Sequence, residues 1–190
     1  IYQGSFLGRH HLQASVRNDH YTDYGSRTTG SLAYDFDITD SITIGLAGNT
    51  GFRIPSFYDM YAPLNWGFQG NPDLKPEKSR NIEAHLSFAN ETTGASIRAF
   101  YTKYRDLINT WDTSSDPATT SNTEKATIRG ISLTASHQFD VTRFGSTRVY
   151  AGADFMDAKD DITDKNLMRR ARQVYRAGVE QSYGRFDVGA

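Results

Sequence analysis

The chain contains no cysteine, which excludes disulfides, thiolate metal sites and cysteine nucleophiles. Nowhere does it hold about 18 consecutive apolar residues, so a transmembrane helix is excluded. Charge of one sign is lacking as well: a net charge of -1 and a pI near 6.6 offer no basic surface for nucleic acid. Catalytic signatures are missing too. There is no Gly-x-Ser-x-Gly, no phosphate-cradling P-loop and no dinucleotide fingerprint. The five histidines form neither a pair at helical spacing nor a His-Glu-x-x-His motif. The residues therefore argue against an enzyme, and no cofactor is assigned. Proline is scarce and unevenly placed: four of the five fall in one segment, at Pro55, Pro63, Pro72 and Pro76.

What is present is alternation with a period of two, which argues strands over helices. Leu12, Ala14 and Val16 alternate with Gln13, Ser15 and Arg17; Leu32, Tyr34 and Phe36 alternate with Ala33, Asp35 and Asp37. The same pattern recurs at Ile42–Ala47, Asn81–Phe88, Ile97–Tyr101, Ile131–Ala135, Arg148–Phe155 and Tyr175–Glu180. That predicts about eight strands of about ten residues, the length a tilted strand needs to cross a bilayer. A mean hydropathy of -0.60 is compatible with this, because a transmembrane barrel turns only alternate residues to lipid. Taken alone, the alternation favours a soluble sandwich or soluble barrel with its apolar face in a core, because such folds are common.

The connections shift the balance. Short ones are expected near 38–41, 89–95, 139–146 and 183–186, long ones near 18–28, 53–79, 109–123 and 157–168. Tight turns on one side and extended loops on the other are the habit of outer-membrane barrels, whereas a sandwich has no reason to lengthen every second connection. The prolines make residues 53–79 a structured, aromatic-rich loop, since a central strand cannot hold so many residues without a ladder donor. Ile128 and Ile131 have opposite parity across Gly130, which predicts a bulge or phase change at that glycine.

The run Gly51-Phe52-Arg53-Ile54-Pro55-Ser56-Phe57-Tyr58-Asp59-Met60-Tyr61-Ala62-Pro63, followed by Gly70-Asn71-Pro72-Asp73-Leu74-Lys75-Pro76-Glu77-Lys78-Ser79, resembles the signature of TonB-dependent outer-membrane receptors. Arg17-Asn18-Asp19-His20 with Tyr24-Gly25 resembles the hairpin before that signature, and Lys125-Ala126-Thr127-Ile128-Arg129-Gly130-Ile131 a recurring motif after it. Ile162-Thr163-Asp164 followed by Leu167-Met168-Arg169-Arg170-Ala171-Arg172 is similar to the loop-to-strand junction of the cobalamin (vitamin B12) subgroup.

The resemblance implies an all-β fold: an antiparallel meander forming an arc of a barrel of about 22 strands, occluded in the family by an N-terminal plug that this segment lacks. The chain is expected to be an internal piece, a single partial barrel domain over residues 1–190. The implied location is the outer membrane of a Gram-negative bacterium. The implied partners are outer-membrane lipid and lipopolysaccharide, the protein's own plug, TonB of the inner-membrane energising complex, and cobalamin or another metal-chelate ligand, with no nucleic acid. The implied activity is TonB-dependent import of a scarce large nutrient, with a ferric-siderophore or haem receptor, or a passive porin-type barrel, as alternatives.

Within this frame Tyr58, Tyr61, Trp66 and Phe68 are the candidate ligand-binding rings of the external loop, because flat amphipathic side chains suit a large planar ligand; packing of the loop is the competing role. Arg53 and Glu83 have lumen-facing parity and are candidates for plug or gating contact, or for pairing with each other. Asp154, Asp157, Asp160, Asp161 and Asp164 form an acidic cluster without EF-hand spacing, read as a solvated loop with no metal assigned. Arg169, Arg170 and Arg172 are candidates for gripping lipopolysaccharide phosphates or the plug.

Overall fold

The computed structural model describes residues 1–141 and 145–189. The strands are β1 (Tyr2–Phe6), β2 (His10–Tyr21), β3 (Gly25–Asp37), β4 (Ile42–Arg53), β5 (Phe68–Gln69), β6 (Glu77–Ala89), β7 (Thr93–Asp112), β8 (Ala118–Val141), β9 (Gly145–Asp160), β10 (Gln173–Tyr183) and β11 (Phe186–Gly189). One short helix, α1 (Phe57–Tyr61), lies between β4 and β5. The strands form a single sheet in the order β1-β2-β3-β4-β6-β7-β8-β9-β10-β11, every neighbour antiparallel, while β5 pairs β8 in parallel off that path. This is an open arc, a fragment of a barrel, with β1 and β11 at its edges.

All eight expected strands are present as β2, β3, β4, β6, β7, β8, β9 and β10. Two short ones, β1 and β5, were not foreseen, because two to five residues carry too little alternation to be read; β11 is the strand that the short connection expected near 183–186 leads into. Two expected long connections are corrected. The one at 18–28 shrinks to residues 22–24, because polar Asn18 and Thr28, and His20 and Ser26, continue the β2–β3 ladder through side-chain hydrogen bonds. The one at 109–123 shrinks to 113–117, because β7 and β8 run on past the rest of the sheet for 20 and 24 residues. Of the turn expected at 139–146, residues 139–141 belong to β8 and 145–146 to β9; residues 142–144 lie outside the described residues.

Register places each face in rows. Tyr34, Leu46, Ala84, Ala99, Ile131 and Phe155 are successive cross-strand partners from β3 to β9. One position along, Asp35, Gly45, His85, Arg98, Ser132 and Asp154 form the row of the other face. The polar face is internally paired: Asp35 meets His85 at 3.5 Å, Glu83 meets Arg98 at 3.9 Å and Asp154 meets Arg176 at 2.8 Å. Gly45 makes the first of these contacts possible, since a Cβ there would lie 2.0 Å from the Asp35 carboxylate and 2.2 Å from the His85 ring. The apolar face is uncovered: Val16 is 76% exposed, Leu46 60% and Ile82 66%. A second sheet would cover this face in a sandwich. A lipid-facing band explains it, with the polar face turned to the barrel interior.

No bulge occurs at Gly130. The β8 ladder passes through it without a break, pairing Phe100 on one side and Met156 on the other; the register shift in this hairpin falls between Asn109 and Asp112. Ile128 and Ile131 differ in parity because the inner face is itself apolar at this height. There Leu107, Ala126, Ile128, Ala158 and Leu167 form a buried cluster with Phe100, Tyr104 and Met156 packed on it. Gly130 is small for the sake of that packing, since a Cβ would lie 2.3 Å from the Phe155 carbonyl oxygen and 2.8 Å from the Phe100 ring. Gly130→Val is expected to destabilise the barrel by about 1–3 kcal/mol through overpacking. The check is a lower midpoint for loss of the heat-modifiable gel mobility of the full-length protein; an unchanged midpoint would mean the neighbours yield freely.

Candidate functional site

Residues 54–76, between β4 and β6, form the largest excursion from the sheet. Helix α1 starts with a capping box: the Ser56 hydroxyl accepts from the Asp59 amide at 3.1 Å, and the Asp59 carboxylate accepts from the Ser56 amide at 3.0 Å. Both orphan donors of the first turn are thereby satisfied. Pro63, just after the cap residue Ala62, ends the helix. Gly70 then folds back against it, its amide donating to the Ala62 carbonyl at 2.9 Å; a Cβ on Gly70 would sit 2.6 Å from the Ala62 nitrogen. The Asn71 amide donates to the Asp59 carbonyl at 2.9 Å, closing the loop on itself.

The loop is also bolted to the β7–β8 hairpin. Ala118 donates to the Gly67 carbonyl and the Thr119 hydroxyl to that of Gln69, each at 2.8 Å. The Asn71 amide group donates to the Thr120 carbonyl at 3.1 Å. Asn122 accepts from the Lys75 amide at 2.8 Å and donates to the carbonyls of Lys75 and Asp106. Phe68, 1% exposed, is stacked between Tyr58 (5.7 Å between centroids, 10° between planes) and Trp111 (5.0 Å, 4°). The Tyr24 hydroxyl reaches the Met60 sulfur at 3.5 Å from the neighbouring hairpin.

The four candidate rings thus separate. Phe68 is corrected to a packing residue, because it is sealed between two rings and β8. Tyr58 and Tyr61 are exposed, and Trp66 is 90% exposed. Trp66 and Gly67 are the central residues of a tight turn closed by Asn65 and Phe68, with φ of 51° and 72°. Two positive φ values make this the I′ geometry of β-hairpins, which strongly favours Asn and Gly. A bulky aromatic in that position is strained, yet here its indole is held out to solvent. The sequence pattern did not single out Phe57, 86% exposed and tilted against Tyr61 at 5.7 Å, nor Trp111. The first was signalled by its spacing of four from Tyr61 on one helix face; the second lies across a hairpin and had no local signal.

Arg53 and Glu83 both take the inner face but do not pair with each other. Arg53 lies 3.6 Å from the buried Asp59 and 4.0 Å from Glu77, its cross-strand partner; Glu77 also accepts from the Ile108 amide at 3.1 Å. Glu83 sits six positions further along β6, opposite Ala47, and takes Arg98. The acidic cluster is dispersed: Asp157 meets Arg129 at 3.1 Å, Asp164 meets Lys159 at 2.8 Å, Asp160 caps the turn amides of Ile162 and Thr163, and Asp161 takes the Thr127 hydroxyl. Among the described residues no group of three His, Asp or Glu side chains could hold a metal ion. Arg170 lies within electrostatic reach of the Tyr104 hydroxyl, a residue packed on the buried cluster.

At the tip of β7 the Ser121 hydroxyl, and then the Ser114 amide (2.9 Å), hold the Asp112 carboxyl below its ordinary pKa. Its folded-state pKa is the lower one, so its contribution is complete above the ordinary carboxylate value of about 4 and is lost as the pH falls below that. Amide exchange across residues 111–121, corrected for intrinsic rates, is therefore expected to quicken below about pH 4 and to lose that pH dependence in Asp112→Asn. Phe68→Ala removes a fully buried ring at a cost of about 3–5 kcal/mol. It is expected to strip exchange protection from residues 54–76 while the β6–β7 ladder keeps its own; retained loop protection would refute the ring's role as the loop's core.

Comparison with known proteins places this geometry. The family model for "TonB dependent receptor-like, beta-barrel" matches residues 2–190. The vitamin B12 transporter BtuB of Photobacterium profundum is 35% identical over 168 residues, 85% of this chain and 26% of that protein. The BtuB of Vibrio vulnificus is 31% identical over 179 residues, 94% of this chain and 28% of that protein. The chain therefore spans about a quarter of the length of these curated relatives. Among solved structures, the siderophore receptor PirA from Acinetobacter baumannii matches 98% of this chain and 31% of its own, with a TM-score of 0.73 at 21% identity. The copper transporter OprC matches 98% of this chain and 32% of its own, with a TM-score of 0.72 at 17% identity. Both structures share the arc of strands, and with the family match over nearly its whole length this chain belongs to the TonB-dependent receptor-like β-barrel family.

Proposed function

We propose that the chain supplies wall and outer mouth to a transporter that binds a large planar nutrient complex outside the cell and imports it through TonB, with cobalamin as the ligand. The observation that carries this is Trp66: a large ring on a strained turn, 90% exposed, at the tip of a loop locked to its neighbours. Strain of this kind is kept where the surroundings over-determine it, and it clusters at ligand clamps. Tyr61 and Phe57 stand beside each other on the same loop, so the mouth offers several flat faces for dispersion and stacking on a macrocycle. Because the loop is pre-organised, binding pays little for ordering it. The 35% identity with a vitamin B12 transporter supports cobalamin over other chelates.

Transport follows from the two faces of the sheet. The paired inner row, Glu83 with Arg98 and Asp154 with Arg176, faces the interior, where a plug would sit; Arg53 and Glu83 are its proposed contacts. Ligand seated at the mouth shifts the plug, and the inner-membrane complex drives passage through TonB. The location is the outer membrane.

The test uses the full-length protein in outer membranes. Cyanocobalamin binding is expected, and Trp66→Ala is expected to weaken it about tenfold, equivalent to about 1.4 kcal/mol, without altering heat-modifiable mobility. Binding of a ferric siderophore or haem with no cobalamin binding would replace the ligand. Uptake that persists without TonB would replace active transport by a passive channel.

A further inference from the structure

We infer that the bond between Arg169 and Arg170, in the connection from β9 to β10, is a processing site for an endoprotease that takes paired basic residues, and that cutting there leaves the barrel folded. That the protease comes from outside the cell rests on the reading of the long connections as external.

The first observation is where this connection is tied and where it is not. It spans residues 161–172, and its first half is held down. The Asp164 amide donates to the Asp160 carbonyl, the Asp160 amide to the Lys165 carbonyl and the Leu167 amide to the Ala158 carbonyl, each at 2.9 Å. Leu167 is also buried in the inner cluster. At the far end the Arg172 carbonyl accepts from the Met156 amide at 2.8 Å. Between these anchors the backbone groups of Met168, Arg169, Arg170 and Ala171 make no hydrogen bond among the described residues. All four residues are exposed. Exposed loop segments are where folded proteins are nicked, because a protease pairs with its substrate as an added extended strand and needs those groups free.

The second observation is conformational. Arg169 has a φ of 57°, in the left-handed region that is unfavourable for a residue with a Cβ. Drawing it out into the extended form that a protease binds relieves this strain. Side chains do not oppose the change: among the described residues no carboxylate lies within ion-pair distance of Arg169 or Arg170.

The other basic residues of the connections are less available. The Arg9 carbonyl accepts from the Asp37 amide, and the Lys165 carbonyl from that of Asp160. Lys75 is bonded through both its amide and its carbonyl to Asn122. Arg185 sits in a two-residue turn closed by Tyr183 and Phe186, too tight to be drawn out as a strand. The paired arginines therefore offer the protease its easiest bond.

The chemistry selects the class of enzyme. From Asn166 to Gln173 the chain carries three arginines and no carboxylate, which suits acidic subsites, since a guanidinium pairs bidentately with a carboxylate. Hydrolysis adds one water across the Arg169–Arg170 amide, leaving a carboxylate on Arg169 and an amino group on Arg170. The barrel survives because β9 and β10 stay joined by the register pairs from Gln173 with Phe155 to Ser182 with Ser146, and the anchors at Leu167 and Arg172 lie on either side of the cut.

The test is limited digestion with trypsin of the full-length protein, once on whole cells and once purified in a non-ionic detergent, with N-terminal sequencing of the fragments. Within residues 1–190 the first cut is expected to give a new amino terminus at Arg170 or Ala171 in both preparations, with heat-modifiable mobility retained. Arg169→Gln/Arg170→Gln is expected to slow this cut at least about tenfold, and Lys165→Gln to leave it unchanged. A first cut at another basic residue, no early cut in detergent, equal rates for wild type and the double variant, or loss of heat-modifiable mobility on cutting would each overturn the site. Cutting in detergent but not on cells would uphold the site and overturn the external reading, which separates the two failures.

Discussion

Everything in this structure depends on the backbone ladder. In hydrocarbon no water is present to satisfy an N–H or C=O group, so a spanning sheet must pair every one of them with a neighbouring strand. The antiparallel meander does this with consecutive strands, and the pairing fixes register from β1 to β11. Register then fixes which side chains share a row, and so decides that one face is hydrocarbon-like while the other is a chain of ion pairs. Gly45 and Gly130 show how tight this constraint is. Each gives up a side chain so that a contact of its neighbours, Asp35 with His85 or Phe100 against β9, fits a register that cannot move.

Where β7 and β8 outrun the sheet the constraint changes. The chain is no longer a membrane wall, and the extended hairpin becomes the post against which the 54–76 loop is tied. Hydrogen bonds from Asn71, Lys75, Thr119 and Asn122 and the Tyr58–Phe68–Trp111 stack hold it there. A loop with its own capped helix and its own buried ring behaves as a small domain. That rigidity is what allows Trp66 to remain in a backbone conformation that its side chain disfavours.

Charge is distributed by environment. On the inner face acids and bases are matched, since an unpaired charge facing a confined interior is costly. On the outward face at the loop end, cations stand opposite cations. Lys78 with Arg105 and Arg80 with Lys103 both lie at the end of β6 and β7 next to the 54–76 loop, where the side chains are exposed and water screens their repulsion.

The class of fold was legible in the sequence because alternation with period two and proline-rich connections are local properties: the eight strands and the loop at 53–79 follow from them. Their lengths were not. Whether Asn18 to Tyr21 and Asn109 to Asp112 belong to strand or loop depends on partners across the hairpin, so these strand ends read as loop. The same holds at the site. Residue type nominated Tyr58, Tyr61, Trp66 and Phe68 together, yet only the packing of β5 against β8 separates the buried Phe68 from the exposed Trp66. Parity put Arg53 and Glu83 on one face, but their partners were chosen by the height of each along the barrel. The sequence determines which face a strand residue takes, because that is set by its own backbone. What the residue meets there is decided by register, which belongs to pairs of strands and exists only in the folded sheet.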